Sequence, residues 1–240
     1  MPSPRTARER AREQITAEIL AAARERLTRG GPSELSLRAV ARDVGMVSSA
    51  VYRYFPSRDD LLTALLVLAY DEVGAAAEQA DAAVADRDDV SGRWWAACRA
   101  VRHWAATHPG DYALLYGSPV PGYQAPADTI APATRVVLVL IGITLDAQRL
   151  GAQPRPTPPG SSGQLVETVG DALAFLDARG LETPPEVAVR LLMAWTTLFG
   201  TISFELFGHL VGSVSEPRDY FDEVVARLAT DLGITMTPAP

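Results

Sequence analysis

The stretch Leu37-Arg-Ala-Val-Ala-Arg-Asp-Val-Gly-Met-Val-Ser-Ser-Ala-Val-Tyr-Arg-Tyr54 constrains this chain more than any other. Ala41, Gly45 and Val51 stand at the spacing of two short helices that cross at a tight turn. Ala41 is small where the helices approach. Gly45 suits the left-handed turn that ends a helix, where a side chain costs energy. Val51 anchors the second helix, with Val40, Val44 and Phe55 completing an inward face. This is the pattern of a helix-turn-helix, whose second helix enters the DNA major groove.

The surrounding sequence agrees. Ile15, Ile19, Ala23 and Leu27 recur every fourth residue, which predicts an amphipathic helix over 6–28, stopped by Gly30-Gly31-Pro32. Short helices follow at 37–44 and 48–54. Pro56 ends the second of them, and Ser57 with Asp60 forms a capping box that starts a fourth helix running to about 82. Further helices are predicted at 91–107, 109–116, 127–149, 164–179, 184–211 and 217–232. No period-2 run or Asn-Gly or Asp-Gly hairpin turn indicates a strand, so the fold class is all-α. The proline-rich segment 153–163 reads as a mobile connection.

Charge divides the chain. Residues 1–60 hold 11 arginines against 8 acids, and the remainder holds 11 against 21. All 22 basic residues are arginine. A basic head on an acidic body suits an anionic partner for the head alone, although solvated helix faces alone would account for so mild an excess. The boundary falls within or just after the fourth helix. We place a helix-turn-helix DNA-binding domain at 1–62 and a C-terminal ligand-binding and dimerisation domain at 63–240.

At 100° per residue, Val51 and Phe55 point inward, and Ser49 and Arg53 point nearly opposite. Serine hydroxyls pair with either base type and arginine pairs bidentately with guanine. Ser48 and Tyr52 flank that face, and Val47, just before the helix, and Ala50, within it, are further candidate contacts. Tyr52, Tyr54 and Arg58 are placed for phosphates. Ser36, Leu37 and Arg38 open the preceding helix, where backbone amides attract anions.

The run Ile15–Leu65 resembles the tetracycline-repressor (TetR) family of bacterial transcriptional regulators. Ile19-Leu-Ala-Ala-Ala23, Leu37-Arg-Ala-Val-Ala41, Gly45-Met-Val47 and above all Val51-Tyr-Arg-Tyr-Phe-Pro-Ser-Arg-Asp-Asp-Leu-Leu62 carry the likeness. The resemblance implies an all-α homodimer that binds an operator in double-stranded DNA and responds to a small-molecule effector. It implies a dimer interface from the last two long helices, here about 164–179 and 184–211. The family often has serine or threonine at Val47, lysine at Ser48, glycine at Ser49 and histidine at Tyr54, so the operator does not transfer from relatives. Trp195-Thr-Thr-Leu-Phe-Gly200 resembles a C-terminal type named for a Trp-His-Gly motif, with Phe199 at the histidine position.

Trp95, His103, Tyr112, Tyr116, Trp195 and Phe199 are the candidate contacts for an aromatic or apolar effector; the same aromatic residues would also serve as core. Residues 184–211 read as one helix apolar nearly all round. Gly200, Gly208 and Gly212 within it suggest close helix approach.

An enzyme is the rival class. There is no Gly-rich phosphate loop, nucleophile elbow or His-Glu-x-x-His string, and His103 and His108 lie off the i, i+4 spacing of helical metal ligands. Cys98, the single cysteine, reads as a buried thiol. No catalytic residue, metal or cofactor is expected. A small-molecule-binding protein without specific DNA recognition is the alternative that the missing lysine at Ser48 leaves open. The charged N-terminus does not fit a signal peptide, and the strongly apolar run Leu191–Phe204 is too short to span a bilayer. A cytoplasmic protein with no membrane partner is expected.

Overall fold

The computed structural model describes residues 6–32, 35–157 and 164–237. Among these, the secondary structure is helical throughout: α1 Ala7–Gly30, α2 Leu37–Asp43, α3 Ser48–Val51, α4 Arg58–Ala83, α5 Val90–Thr107, α6 Pro109–Tyr116, α7 Ile130–Ala133, α8 Arg135–Arg149, α9 Leu165–Thr168, α10 Gly170–Asp177, α11 Pro185–Leu206 and α12 Pro217–Asp231. The chain divides into two compact units. One comprises residues 1–72 and 105–133, the other 73–104 and 134–240. The first therefore takes in α6 and the loop after it, in addition to the residues of the basic head.

In the first unit, Ile19, Ala23 and Leu27 of α1 are buried with Val40, Val51, Leu61 and Leu65. Thr6 and Glu9 cap the start of α1 reciprocally. The helix runs to Gly30 and stops at Gly31, whose φ of 71° is left-handed. Ser57 and Asp60 cap α4 as expected: the Asp60 amide donates to Ser57 Oγ at 3.0 Å, and the Ser57 amide to Asp60 Oδ2 at 2.9 Å.

Helix α6 lies directly on α1. A Cβ on Gly110 would come within 2.8 Å of the Thr28 Cα, so only glycine permits this approach. The Arg24 guanidinium forks across the contact, donating to Asp111 at 2.8–3.1 Å and to Glu72 of α4 at 2.5–2.7 Å. Burial opposes its charge, but the hydrogen bonds to these two carboxylates outweigh that and raise its pKa. Leu114 and Leu115 of α6, and Val120 and Tyr123 beyond it, pack on the same core, and the Tyr123 and Thr63 hydroxyls meet at 2.9 Å.

The second unit is tied by arginines of α5. Arg93 bonds Asp81 and Asp146 at 2.7 Å each, Arg99 bonds Asp222 of α12, and Arg102 bonds Glu205 of α11. The Trp94 indole donates to the Val225 carbonyl at 3.1 Å. Cys98 is buried, which pushes its thiol far above the usual range.

Several expectations change. The helix predicted over 127–149 is a 3-10 turn, Ala127–Thr129, then α7 and α8. The helix predicted over 164–179 is two pieces, α9 and α10. The helix predicted over 184–211 ends at Leu206, because Gly208 and Gly212 adopt φ of 78° and 80° and turn the chain. Those two glycines thus serve a turn and not a helix crossing. Segment 153–157 is not a loose connection: the Arg155 amide donates to the Asp231 carbonyl at 3.1 Å, buried Arg190 donates to the Arg155 carbonyl at 2.9 Å, and Thr157 donates to Glu186 at 2.7 Å. The rest of that predicted connection, 158–163, lies outside the described residues. Helix α11, at 22 residues, is long and apolar enough to cross a membrane by length and composition, and half of that window is buried inside the protein. The helix is longer than its uncharged run Leu191–Phe204, because it continues through Arg190 and Glu205.

Candidate nucleic-acid interface

A helix of four residues such as α3 does not persist alone, because nucleation costs more than one turn returns. It is held here by what precedes and underlies it. Gly45 turns the chain at φ 66°, and the Met46 amide donates to the Ala41 carbonyl at 2.9 Å. Ala41 is 1% exposed and Val51 0%, so both meet the core as their spacing predicts. The turn continues past Val51: the Tyr54 and Phe55 amides donate to the Val51 carbonyl at 2.9 and 3.0 Å. The predicted 48–54 helix is thus a helix of four residues plus a hydrogen-bonded turn.

The outward side carries the residues assigned to it. Ser49, Tyr52 and Arg53 are exposed, Ser48, Ala50 and Tyr54 are partly covered, and Val47 is 71% exposed. Arg38 is exposed on α2, and Ser36 caps that helix by accepting from the Ala39 amide at 3.2 Å. Asp43, the acid nearest the turn, bonds Arg26 of α1; that hydrogen bond holds its carboxyl below the usual range.

Two of the assigned residues sit otherwise than expected. Leu37 is 4% exposed and belongs to the core, so it offers an incoming phosphate its backbone and not its side chain. Arg58 donates to the Leu35 carbonyl at 3.0 Å and the Pro32 carbonyl at 2.8 Å. It ties down the connection between α1 and α2, a role no local pattern signals because its partners lie 23 and 26 residues away.

The comparisons with known proteins decide the family. A model described as bacterial regulatory proteins, tetR family, matches residues 19–65, and one described as tetracyclin repressor-like, C-terminal domain, matches 94–228. HTH-type transcriptional regulators of Mycobacterium bovis and Mycobacterium tuberculosis are each 42% identical over 222 residues, covering 88% of this chain and 89% of theirs. The chain belongs to the TetR family. Among solved structures, the regulatory protein SCO4313 is 31% identical with a TM-score of 0.72, covering 95% of this chain and 100% of that one. The TetR-family regulator PfmR from Thermus thermophilus shares the fold at 19% identity and a TM-score of 0.55, covering 86% of this chain and 96% of that one. This TetR-family member is accordingly a DNA-binding transcriptional regulator.

The six aromatic and histidine candidates for effector contact fall into separate groups. Tyr112 and Tyr116 pair in the first unit, with ring centres 5.1 Å apart and Tyr70 edge-on to Tyr116 at 6.3 Å. Burial, then its tyrosine neighbours, pushes the Tyr116 hydroxyl up. Trp195 and Phe199 pair in the second unit, one helical turn apart on α11, with ring centres at 6.4 Å. Trp95 stacks under Arg99, and its indole donates to the Thr237 carbonyl at 3.2 Å, which fastens the C-terminal tail to α5. His103 is exposed.

The second unit also presents an outward apolar face. Met193, Thr197, Gly200 and Phe204 follow one another along α11, with Phe204 54% exposed, and Tyr220 of α12 joins them. They border a depression of about 250 Å³ lined by Thr197, Gly200, Thr201, Phe204, Leu210 and Tyr220. A Cβ on Gly200 would meet nothing within 4 Å, so the close approach suggested for it from sequence does not occur within the protomer.

Proposed function

We propose that this regulator is a ligand-responsive repressor. Two copies place α3 in successive major grooves of a pseudo-palindromic operator, and a small apolar or aromatic effector releases them. The observation that carries this reading is the division of α3 and the turn after it: Val51 and Phe55 are buried while Ser49 and Arg53 are exposed. Serine and arginine on one exposed face supply base-edge contacts, and Arg38, Tyr52 and Tyr54 supply phosphate contacts around them. Two-fold symmetry of the protein matches two-fold symmetry of the site.

The mating face we assign is that of α11 with α12, in place of the 164–179 segment. Its exposed Met193, Phe204 and Tyr220 would be covered, and Gly200 would admit a close helix from the second copy. The effector would extend one of the two ring pairs, Tyr112–Tyr116 or Trp195–Phe199, and act by binding one separation of the reading heads better than another. As for other members of its family, a cytoplasmic location and a role without catalysis belong to this reading.

Selection of binding sites from random DNA tests it. A recovered inverted repeat, bound in a salt-dependent gel shift and released by a cell extract containing the effector, supports the proposal. Shifts of equal strength on unrelated duplexes would leave only nonspecific binding.

A further inference from the structure

We propose that α1 supplies a second DNA contact: Arg8 and Arg12, one helical turn apart, grip phosphates flanking the bases that α3 faces. The proposal rests on the DNA-binding reading and extends it to residues outside the helix-turn-helix.

The buried stripe of α1 is Ile19, Ala23 and Leu27. Followed toward the N-terminus at 100° per residue, the same stripe passes through Ile15, then Arg12 and Arg8, each within roughly 40° of Ile19. Ile15 is partly covered, and Arg12 and Arg8 are exposed. The inward face therefore turns cationic where α1 projects past the core. What lies beside it there is the end of the α3 turn. The Arg12 guanidinium sits over the Tyr54 ring at 5.1 Å, and its Nη2 donates to the Arg53 carbonyl at 3.5 Å. Arg12 thus joins the face that carries Arg53, and Arg8 lies one turn farther out along the same line.

Arg12 has these contacts with the α3 turn, but stability does not account for Arg8. The first turns of a helix carry the positive end of its dipole, where cations are disfavoured. The acids among them lie off the stripe: Glu9 is about 80° and Glu13 about 120° from Ile19. Glu9 is also occupied, its Oε2 accepting from the Thr6 amide at 2.7 Å. Arg10 is about 180° away, on the far side of the helix, and provides an internal control.

The test is the salt dependence of binding to a synthetic duplex recovered by selection, for the full chain and for Arg8→Gln, Arg8→Gln/Arg12→Gln, Arg8→Lys and Arg10→Gln. Each phosphate contact removed lowers the slope of log K against log salt by about 0.9. Two copies bind the duplex, so between 50 and 200 mM salt the unsubstituted protein should lose about 12-fold more affinity than Arg8→Gln and about 150-fold more than the double variant. Arg8→Lys and Arg10→Gln should keep the full slope, and thermal melting should be unchanged in every single variant. An unchanged slope in Arg8→Gln, or an equal fall in Arg10→Gln, overturns the proposal while leaving DNA binding intact. Failure of the unsubstituted protein to bind any duplex overturns both.

Discussion

The α2–turn–α3 segment and α11 teach opposite lessons about how residues specify structure. Helix α3 has 4 residues and α2 has 7, both too short to stand without tertiary support. Their geometry requires a small residue at Ala41, a left-handed turn at Gly45 and an apolar anchor at Val51, and little else will serve. Helix α11 has 22 residues and an apolar surface that many sequences would provide. Its length stabilises it whichever residue sits where, so position on it carries little information about role.

Core substitutions should expose the difference most strongly. Leu61 of α4 is fully buried in the core cluster that also holds Val40 of α2 and Val51 of α3. Leu61→Ala should cost about 2–5 kcal/mol and abolish operator binding, read by chemical denaturation and gel shift. On α11 the telling change is at the surface. Phe204→Asp should leave the melting of the protomer nearly unchanged and shift the protein from dimer to monomer in light scattering. Equal destabilisation by both would erase the contrast.

Arg53→Ala comes next. Loss of a bidentate base contact costs about 1–3 kcal/mol, or roughly 5- to 140-fold in affinity, for each of the two half-sites, with the dimer intact. Titration of the selected operator measures it.

The two glycines sharpen the comparison further. Gly45→Ala forces a side chain into a φ of 66° and should destabilise by about 1 kcal/mol or more. Gly200→Ala meets open space in a helix interior, so it should raise protomer stability by up to about 1 kcal/mol while weakening the dimer. Denaturation midpoints at low and high protein concentration separate the two effects.

The smallest effect is the pH dependence. Asp43 is depressed by its bond from Arg26 and Glu78 by its bond from Arg135; for Asp81, bonds from Arg93 and Arg87 outweigh the opposing effect of burial. A carboxyl with a lowered folded pKa contributes stability above its unfolded value, and that contribution disappears as pH falls through the folded value. The loss should therefore begin below about pH 4 in thermal melts, with little change from pH 5 to 8.

Much of the reading head was legible because its signals are local. The Ser57–Asp60 box, the Gly45 turn, the inward Val51 and the outward Arg53 all follow from spacing within a few residues. The capping of α1 by Thr6 and Glu9 is a local signal of the same kind. What spacing does not encode is pairing across the chain. Arg58 finds Pro32 and Leu35, Arg24 finds Glu72 and Asp111, and Leu37 is covered by neighbours from other helices. The same reason explains the aromatic residues of the C-terminal two thirds. Trp95 and Tyr112 look alike as candidates, yet one fastens the tail at Thr237 and the other is buried against Tyr116. Periodicity also extends the α11 helix past its end, because spacing alone does not show that the backbone at Gly208 and Gly212 turns left-handed.

Specific recognition depends most on the outward face of α3 and its following turn reading base edges. Parallel selections from random DNA with the unsubstituted protein and with Arg53→Ala measure that directly. The prediction is an inverted repeat whose guanine preference at one position of each half-site disappears in the variant, while the flanking pattern persists. Recovery of the same preferred sequence by both proteins would contradict it.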